Sequence, residues 1–195
     1  MKDTQKTKGF FVPPRGIELT HCKLKDLNYI DLLKIKDWRN SQIDVLRQNK
    51  LLTDEDQKNY WDKIKNREKE KLFAIFNLEN SLIGYGGFVH IKNHNKSAEV
   101  SFLLNTKIRE GTSEYALLFE DFFKYLIDFG FKEFGLNRIF TETYDIRPEI
   151  IRILEKVGFK LEGTLRENII INSVFHNSLI HSIIKLDLRA INEGN

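Results

Sequence analysis

The feature that most constrains this chain is a strand, a glycine-bearing turn, a long apolar-faced helix and a second strand in direct succession, because such a run demands a crossover connection within one sheet. Ala98-Glu99-Val100-Ser101-Phe102-Leu103-Leu104 reads as an apolar strand, and Lys107 to Ser113 as a polar turn around Gly111. From Tyr115 onward, Leu118, Phe119, Phe122, Leu126 and Phe129 recur at helical spacing, a stripe wide enough to face a core. Gly135-Leu136-Asn137 breaks that helix and Arg138 to Thr143 forms the next strand. A helix from Pro148 to Val157 follows, opened by proline and closed by Gly158. A strand that opens through a glycine turn onto a helix N-terminus offers free backbone amides to an anion such as a pyrophosphate. The order suits a coenzyme A site.

Ile17, Leu19 and His21 alternate with polar residues and predict a first strand, with Cys22 inside it. Leu24, Leu27, Ile30, Leu32, Leu33, Ile35 and Trp38 then follow helical spacing, with Asp26 as N-cap. Asn40 to Leu52 is polar and reads as irregular, and Thr53-Asp54-Glu55-Asp56 opens a second helix carrying Tyr60, Trp61 and Ile64. Lys71 to Leu78 and Leu82 to Ile91 form a hairpin across Glu79-Asn80-Ser81; Gly84, Gly86 and Gly87 in its second arm predict a bulge or a close approach to the backbone. Two more strands are expected around Glu167 to Asn177. The string predicts an α/β (α+β) fold: a mixed, mostly antiparallel sheet of about seven strands with helices on both faces. Residues 1–15, lysine-rich and ending in Pro13-Pro14, read as a mobile arm, and residues 16–190 as a single domain.

The 31 Lys and Arg against 28 Asp and Glu leave a net charge of only +3, with the signs interspersed, which argues against nucleic acid as the main partner. A single cysteine, Cys22, rules out an internal disulfide and a thiolate metal cluster. Phe10, Phe11 and Val12 are too short an apolar run for a signal core or a membrane span, so the expectation is a cytoplasmic protein.

Taken in order, the Ala98–Leu104 strand, Leu136-Asn137-Arg138-Ile139, Ile153-Leu154-Glu155-Lys156-Val157-Gly158-Phe159 and Leu161-Glu162-Gly163-Thr164-Leu165-Arg166 resemble the GNAT acetyltransferase superfamily. The likeness runs from Ile17 to Leu188 and is nearest to the branch of ribosomal-protein N-terminal and nucleotide-aminosugar N-acetyltransferases; Trp38-Arg39-Asn40 is similar to the aminosugar enzymes in particular. The resemblance implies acetyl-CoA in a V between the fourth and fifth strands, with Phe102, Leu103 and Leu104 along the pantetheine arm. The pyrophosphate would lie on the turn of Lys107, Arg109, Glu110, Gly111, Thr112 and Ser113, and Arg147 stands where relatives often carry an asparagine. The chain departs from the family pattern Q/R-x-x-G-x-G/A at Ile108 and Ser113, and Leu154 stands where many relatives place a proton-donating tyrosine. Glu110 and Glu114 cancel Lys107 and Arg109, so amides and the helix dipole carry the anion, unless Glu114 satisfies that helix end itself.

Acetyl transfer to an amine needs a base for the amine, stabilisation of the oxyanion and a proton for the leaving sulfur, and none of these demands a metal. Glu99 and Glu142, one on each strand of the V, both occupy places where relatives carry a catalytic acid, and neither is preferred; the alternative for each is an acid on a solvent-facing side. His90 is a third candidate base and Tyr144, just past its strand, a substitute proton donor. Trp38, Arg39, Asn40, Arg47 and Gln48 are candidates for the acceptor pocket, since Trp stacks on a base or sugar and Arg forks onto phosphate. The expectation is an acetyl-CoA-dependent N-acetyltransferase acting on a small-molecule primary amine, a nucleotide-linked amino sugar first. Its rivals are acetylation of a protein N-terminus and a non-catalytic acyl-CoA-binding or scaffold protein. The terminal strands of such relatives pair subunits, which implies a homodimer.

Overall fold

The computed structural model describes residues 16–65 and 69–188, so the arm expected over residues 1–15 lies outside the described residues. The described strands form one sheet in the order β1-β2-β3-β4-β5-β6-β8-β7: β1 Ile17–Glu18, β2 Lys23–Asp26, β3 Lys71–Phe76, β4 Leu82–Lys92, β5 Ser97–Leu104, β6 Arg138–Tyr144, β7 Lys160–Ile171 and β8 Val174–Ile184. Neighbouring strands pair antiparallel except β5 and β6, which are parallel and joined through helix α3 (Ser113–Asp128). Eight strands thus stand where about seven were expected.

The extra strand corrects the reading of Leu24 and Asp26 as a helix start. Lys23–Asp26 pairs with Phe76 to Phe73 of β3, with Leu24 fully buried, and Cys22 precedes the strand rather than lying in it. Helix α1 (Tyr29–Ser41) begins instead at Asn28, whose side chain accepts the Asp31 amide at 3.0 Å while Asp31 accepts the Asn28 amide at 3.3 Å. Those reciprocal bonds satisfy two orphan donors at once, whereas Asp26 lies in β2 and accepts Lys71 at 2.9 Å. Helix α2 (Asp54–Ile64) opens as expected on a Thr53/Asp56 capping box. The link expected to be irregular holds the end of α1 and one short helical turn, Ile43–Val45.

One face of the sheet is covered by α3 and α4 (Pro148–Lys156), with Phe119, Phe122, Phe123, Leu126, Ile150 and Leu154 in a large apolar core. The other face carries α1 and α2 over a smaller core of Leu32, Ile35, Ile64, Leu72, Tyr85 and Leu103. The glycines of β4 answer the expected close approach. A Cβ on Gly86 would stand 2.5 Å from the Ser101 carbonyl and 2.7 Å from the Phe122 ring, so only glycine lets the sheet meet α3 there. The last two strands span Lys160 to Ile184, far beyond Glu167 to Asn177, because β7 is an exposed edge whose two register shifts hide its alternation.

Candidate active site

β5 and β6 pair only over Ser97, Ala98 and Glu99, opposite Arg138, Ile139 and Phe140, and then part. A Cβ on Gly84 would meet the Leu103 carbonyl at 2.6 Å, and one on Gly86 the Ser101 carbonyl at 2.5 Å, so those peptide groups face β4. Ladder bonding alternates along a strand, so the peptide groups of Val100, Phe102 and Leu104 face the gap. The Val100 carbonyl accepts the Thr141 hydroxyl at 3.3 Å and the Leu104 carbonyl accepts the Gln42 amide at 2.9 Å, which leaves Phe102 between them. Leu103 is buried under α1 and α2 and does not line the gap.

A cavity of about 700 Å³ runs from this gap to the underside of α1 and α2. At the gap it is lined by Phe102, Thr143, Glu142, Tyr144 and Arg147, and at the other end by Arg39, Gln57, Tyr60, Glu70 and Tyr85. Arg47 ties the two candidate acids together: its guanidinium bonds Glu99 and reaches the Glu142 carboxylate at 3.4 Å. Glu99 is buried beneath it and also lies 2.8 Å from His90 Nδ1, whereas Glu142 lines the cavity and accepts the Asn168 amide at 3.3 Å. His90 reaches Glu99 because β4 bulges there, with His90 at a left-handed φ of 51°. Tyr144 is the last residue of β6 rather than past it, and shares a face with Glu142 two residues before. Burial pushes its pKa up, Glu142 adds to the rise and Arg47 opposes it.

The turn after β5 is capped by Thr112, not by Glu114: the Thr112 hydroxyl accepts the Tyr115 amide at 3.3 Å and donates to the Arg109 carbonyl at 2.7 Å. Gly111 takes a φ of 87°, a Cβ built on it would meet nothing within 4 Å, and the amides of Gly111, Ser113 and Glu114 find no acceptor among the described residues. Arg147, at the start of α4, brings a cation to this neutral turn. It donates to the Tyr115 hydroxyl at 2.7 Å, stands 3.5 Å from Glu110 and lies over the Phe102 ring at 6.0 Å. Its Nε and the Thr143 hydroxyl are buried without a hydrogen bond among the described residues, and both residues line the cavity. A free peptide group, two orphaned polar atoms and a turn of free amides fit the amide-rich arm and diphosphate of coenzyme A. Leu154 is fully buried core, so no proton donor comes from that position.

Of the five acceptor-pocket candidates, Arg39 and Arg47 line the cavity and the other three do not. Trp38 packs on the smaller core. Asn40 fastens the loop that carries Arg47, accepting the Leu52 amide at 2.8 Å and the Gln48 side chain at 3.0 Å, and Gln48 in turn accepts from Arg39 at 3.0 Å. Sequence reasoning missed Tyr85, Thr143, Gln57 and Tyr60. A tyrosine between Gly84 and Gly86 was the one available signal; Gln57 and Tyr60 looked like ordinary positions on a helix.

The chain belongs to the acetyltransferase (GNAT) domain family, whose model matches residues 24–180. Family members are acyl-CoA-dependent N-acyltransferases. It is 27% identical over 105 residues to an uncharacterised N-acetyltransferase of Bacillus subtilis; the match covers 53% of this chain and 56% of that relative, so it spans little more than half of the relative's length. Among solved structures it is similar to the spermidine N-acetyltransferase of Vibrio cholerae in complex with CoA and spermine, with a TM-score of 0.77 and 20% identity over 85% of this chain and 96% of that one. A dodecameric structure of the same Vibrio cholerae enzyme matches with a TM-score of 0.74 and 19% identity, covering 89% and 98%. At these identities the likeness is one of fold. No described helix is long and apolar enough to cross a membrane.

Proposed function

We propose that this chain is an N-acetyltransferase that moves an acetyl group from acetyl-CoA to a primary amine. The observation that carries the reading is the gap between β5 and β6, where the peptide group of Phe102 is left without a strand partner and Phe102 lines the same cavity as Glu142 and Tyr144. Acetyl-CoA supplies an activated thioester when bound. The Phe102 backbone and the Thr143 hydroxyl hold its arm, and the amides of Gly111, Ser113 and Glu114 with Arg147 hold its diphosphate. Glu142, at the cavity wall, takes the amine proton directly or through a water; Glu99, covered by Arg47, orients that arginine and His90. Tyr144 keeps its proton well above neutral pH, which suits it to protonate the leaving sulfur that Leu154 cannot serve.

The acceptor is resolved more coarsely. The expected nucleotide-linked amino sugar keeps Arg39 as support, but Trp38 offers no stacking face in the cavity and Arg47 is spent on two carboxylates. The test is calorimetry with acetyl-CoA, followed by thiol release with nucleotide amino sugars, short peptides and polyamines. Binding with thiol release supports the enzyme, binding without release from any amine supports the non-catalytic acyl-CoA-binding reading, and no binding at millimolar acetyl-CoA removes both and leaves the scaffold.

A second copy of the chain is the expected partner. The β7–β8 hairpin ends the sheet and exposes Leu161, Leu165, Ile170, Val174 and Phe175, an apolar edge of the kind that proteins cover. Sedimentation should show an oligomer that Phe175→Ser weakens.

A further inference from the structure

The cavity end under α1 and α2 holds hydrogen-bond donors that have no acceptor among the described residues. Among the described residues, Arg47 and Arg147 each face carboxylates, but Arg39 has only neutral partners, the Tyr85 hydroxyl and Gln48. Its remaining Nη2 finds no acceptor there, and neither does the proton of the Tyr85 hydroxyl, which accepts from Arg39. Gln57 is 3% exposed, its Nε2 has no partner, and it lines the same end. Tyr60, one turn along α2 from Gln57, lies in the electrostatic reach of both Arg39 and Tyr85, and all four line the same cavity. Two acids line the same end: Asp56 is held by Lys50 at 2.7 Å and the Thr53 amide at 2.9 Å, and Glu70 accepts the neutral Tyr60 hydroxyl at 2.5 Å without pairing with Arg39. A buried donor without an acceptor and a guanidinium without a counter-charge are each costly, and one oxyanion satisfies both.

We infer that Arg39, Tyr85 and Gln57 form an oxyanion subsite in the acceptor end of the cavity, so that the acceptor is a primary amine also bearing a carboxylate or phosphate group. This rests on the acetyltransferase reading, and it separates the chain's acceptor from amines that carry positive charge alone. The amine lies towards Glu142 and the anion towards Arg39, with the acceptor's length set by the span between them.

The test is calorimetry on the full chain saturated with CoA, using matched pairs: ω-amino carboxylates of increasing length against alkylamines, and amino sugar phosphates against the unphosphorylated sugars. The anionic member should bind roughly tenfold more tightly in at least one pair. The better of the two series distinguishes carboxylate from phosphate, and the best length measures the span. Arg39→Gln should abolish the preference and Arg39→Lys retain part of it, a graded response that a merely structural role would not give; melting curves confirm that both variants fold. Gln57→Leu should reduce the preference several-fold while leaving the affinity for CoA unchanged. Equal affinities within every pair, no binding of any member, tighter binding of purely cationic amines, or a preference that survives Arg39→Gln would each overturn the inference. Failure of CoA itself to bind would instead overturn the acetyltransferase reading.

Discussion

The two faces of the sheet are built from the same strands and have opposite characters. On β5, Ala98, Val100, Phe102 and Leu104 turn towards α3 and α4 into a core of phenylalanine and aliphatic side chains. Glu99, Ser101 and Leu103 turn towards α1 and α2, where the sheet carries buried charge and an open cavity. β6 repeats the division, with Ile139 in the large core and Glu142 and Tyr144 on the cavity side. The difference shows that one period-two pattern writes stability on one side and chemistry on the other. The site needs the parting of β5 and β6 to bring backbone and side chains of both faces into one space.

If that division holds, substitutions on the two faces separate rate from stability. The largest effect is expected on the cavity face: Glu142→Gln should lower kcat by about 10²- to 10⁴-fold, the range for losing a general base. The KM for acetyl-CoA and the melting temperature should change little, and full activity in this variant would shift the base to Glu99 or His90. On the apolar face, Phe122→Ala should destabilise by about 3 to 5 kcal/mol in chemical denaturation, because its ring is fully buried and a cavity would remain. The folded fraction should keep its turnover number, and a selective fall in kcat would break the separation of the faces. Arg47→Ala sharpens the comparison within the cavity face. Removing the cation that bonds Glu99 and reaches Glu142 lets both carboxylates leave their places, so kcat/KM should fall, by less than in Glu142→Gln. An unchanged kcat/KM would mean that Arg47 does not position the base.

How much of this was legible in the sequence follows from where tertiary contacts decide the outcome. The crossover was readable because the Tyr115 to Phe129 stripe and the Gly158 stop are local signals of a core helix and its successor. Leu24 misled because an apolar residue two places into a four-residue strand also fits helical spacing, and only pairing with Ile75 settles it. The long β7 was obscured by polar residues that an exposed edge tolerates. At the site, both acids could be named from their strands and Arg47 for the acceptor pocket, but that it joins the acids could not be read, because it comes from a loop 52 and 95 residues away from them. Gln57 was invisible since its significance is an unmet hydrogen bond, which only the surroundings define.

The smallest effect tests the apolar face at a buried polar group. His181 lies on β8, fully buried beneath α4, with Glu155 at 3.9 Å and no hydrogen bond to either ring nitrogen among the described residues. Burial lowers its pKa from 6.5, with Glu155 opposing. The unfolded chain therefore takes up this proton first as pH falls, so stability is lost as pH drops through about 6.5 and continues to fall until the lower folded value is passed. One such group limits the slope to about 1.4 kcal/mol per pH unit. His181→Leu should remove that component and, having no ring nitrogens to leave unsatisfied, should be at least as stable at neutral pH. His21, His90 and His176 stand beside Asp121, Glu99 and Asp145 and are present in both proteins, so the difference between the two stability curves isolates His181. Parallel curves below pH 6.5 would show that the face admits a charge at His181, and the contrast with the cavity side would lose its sharpest point.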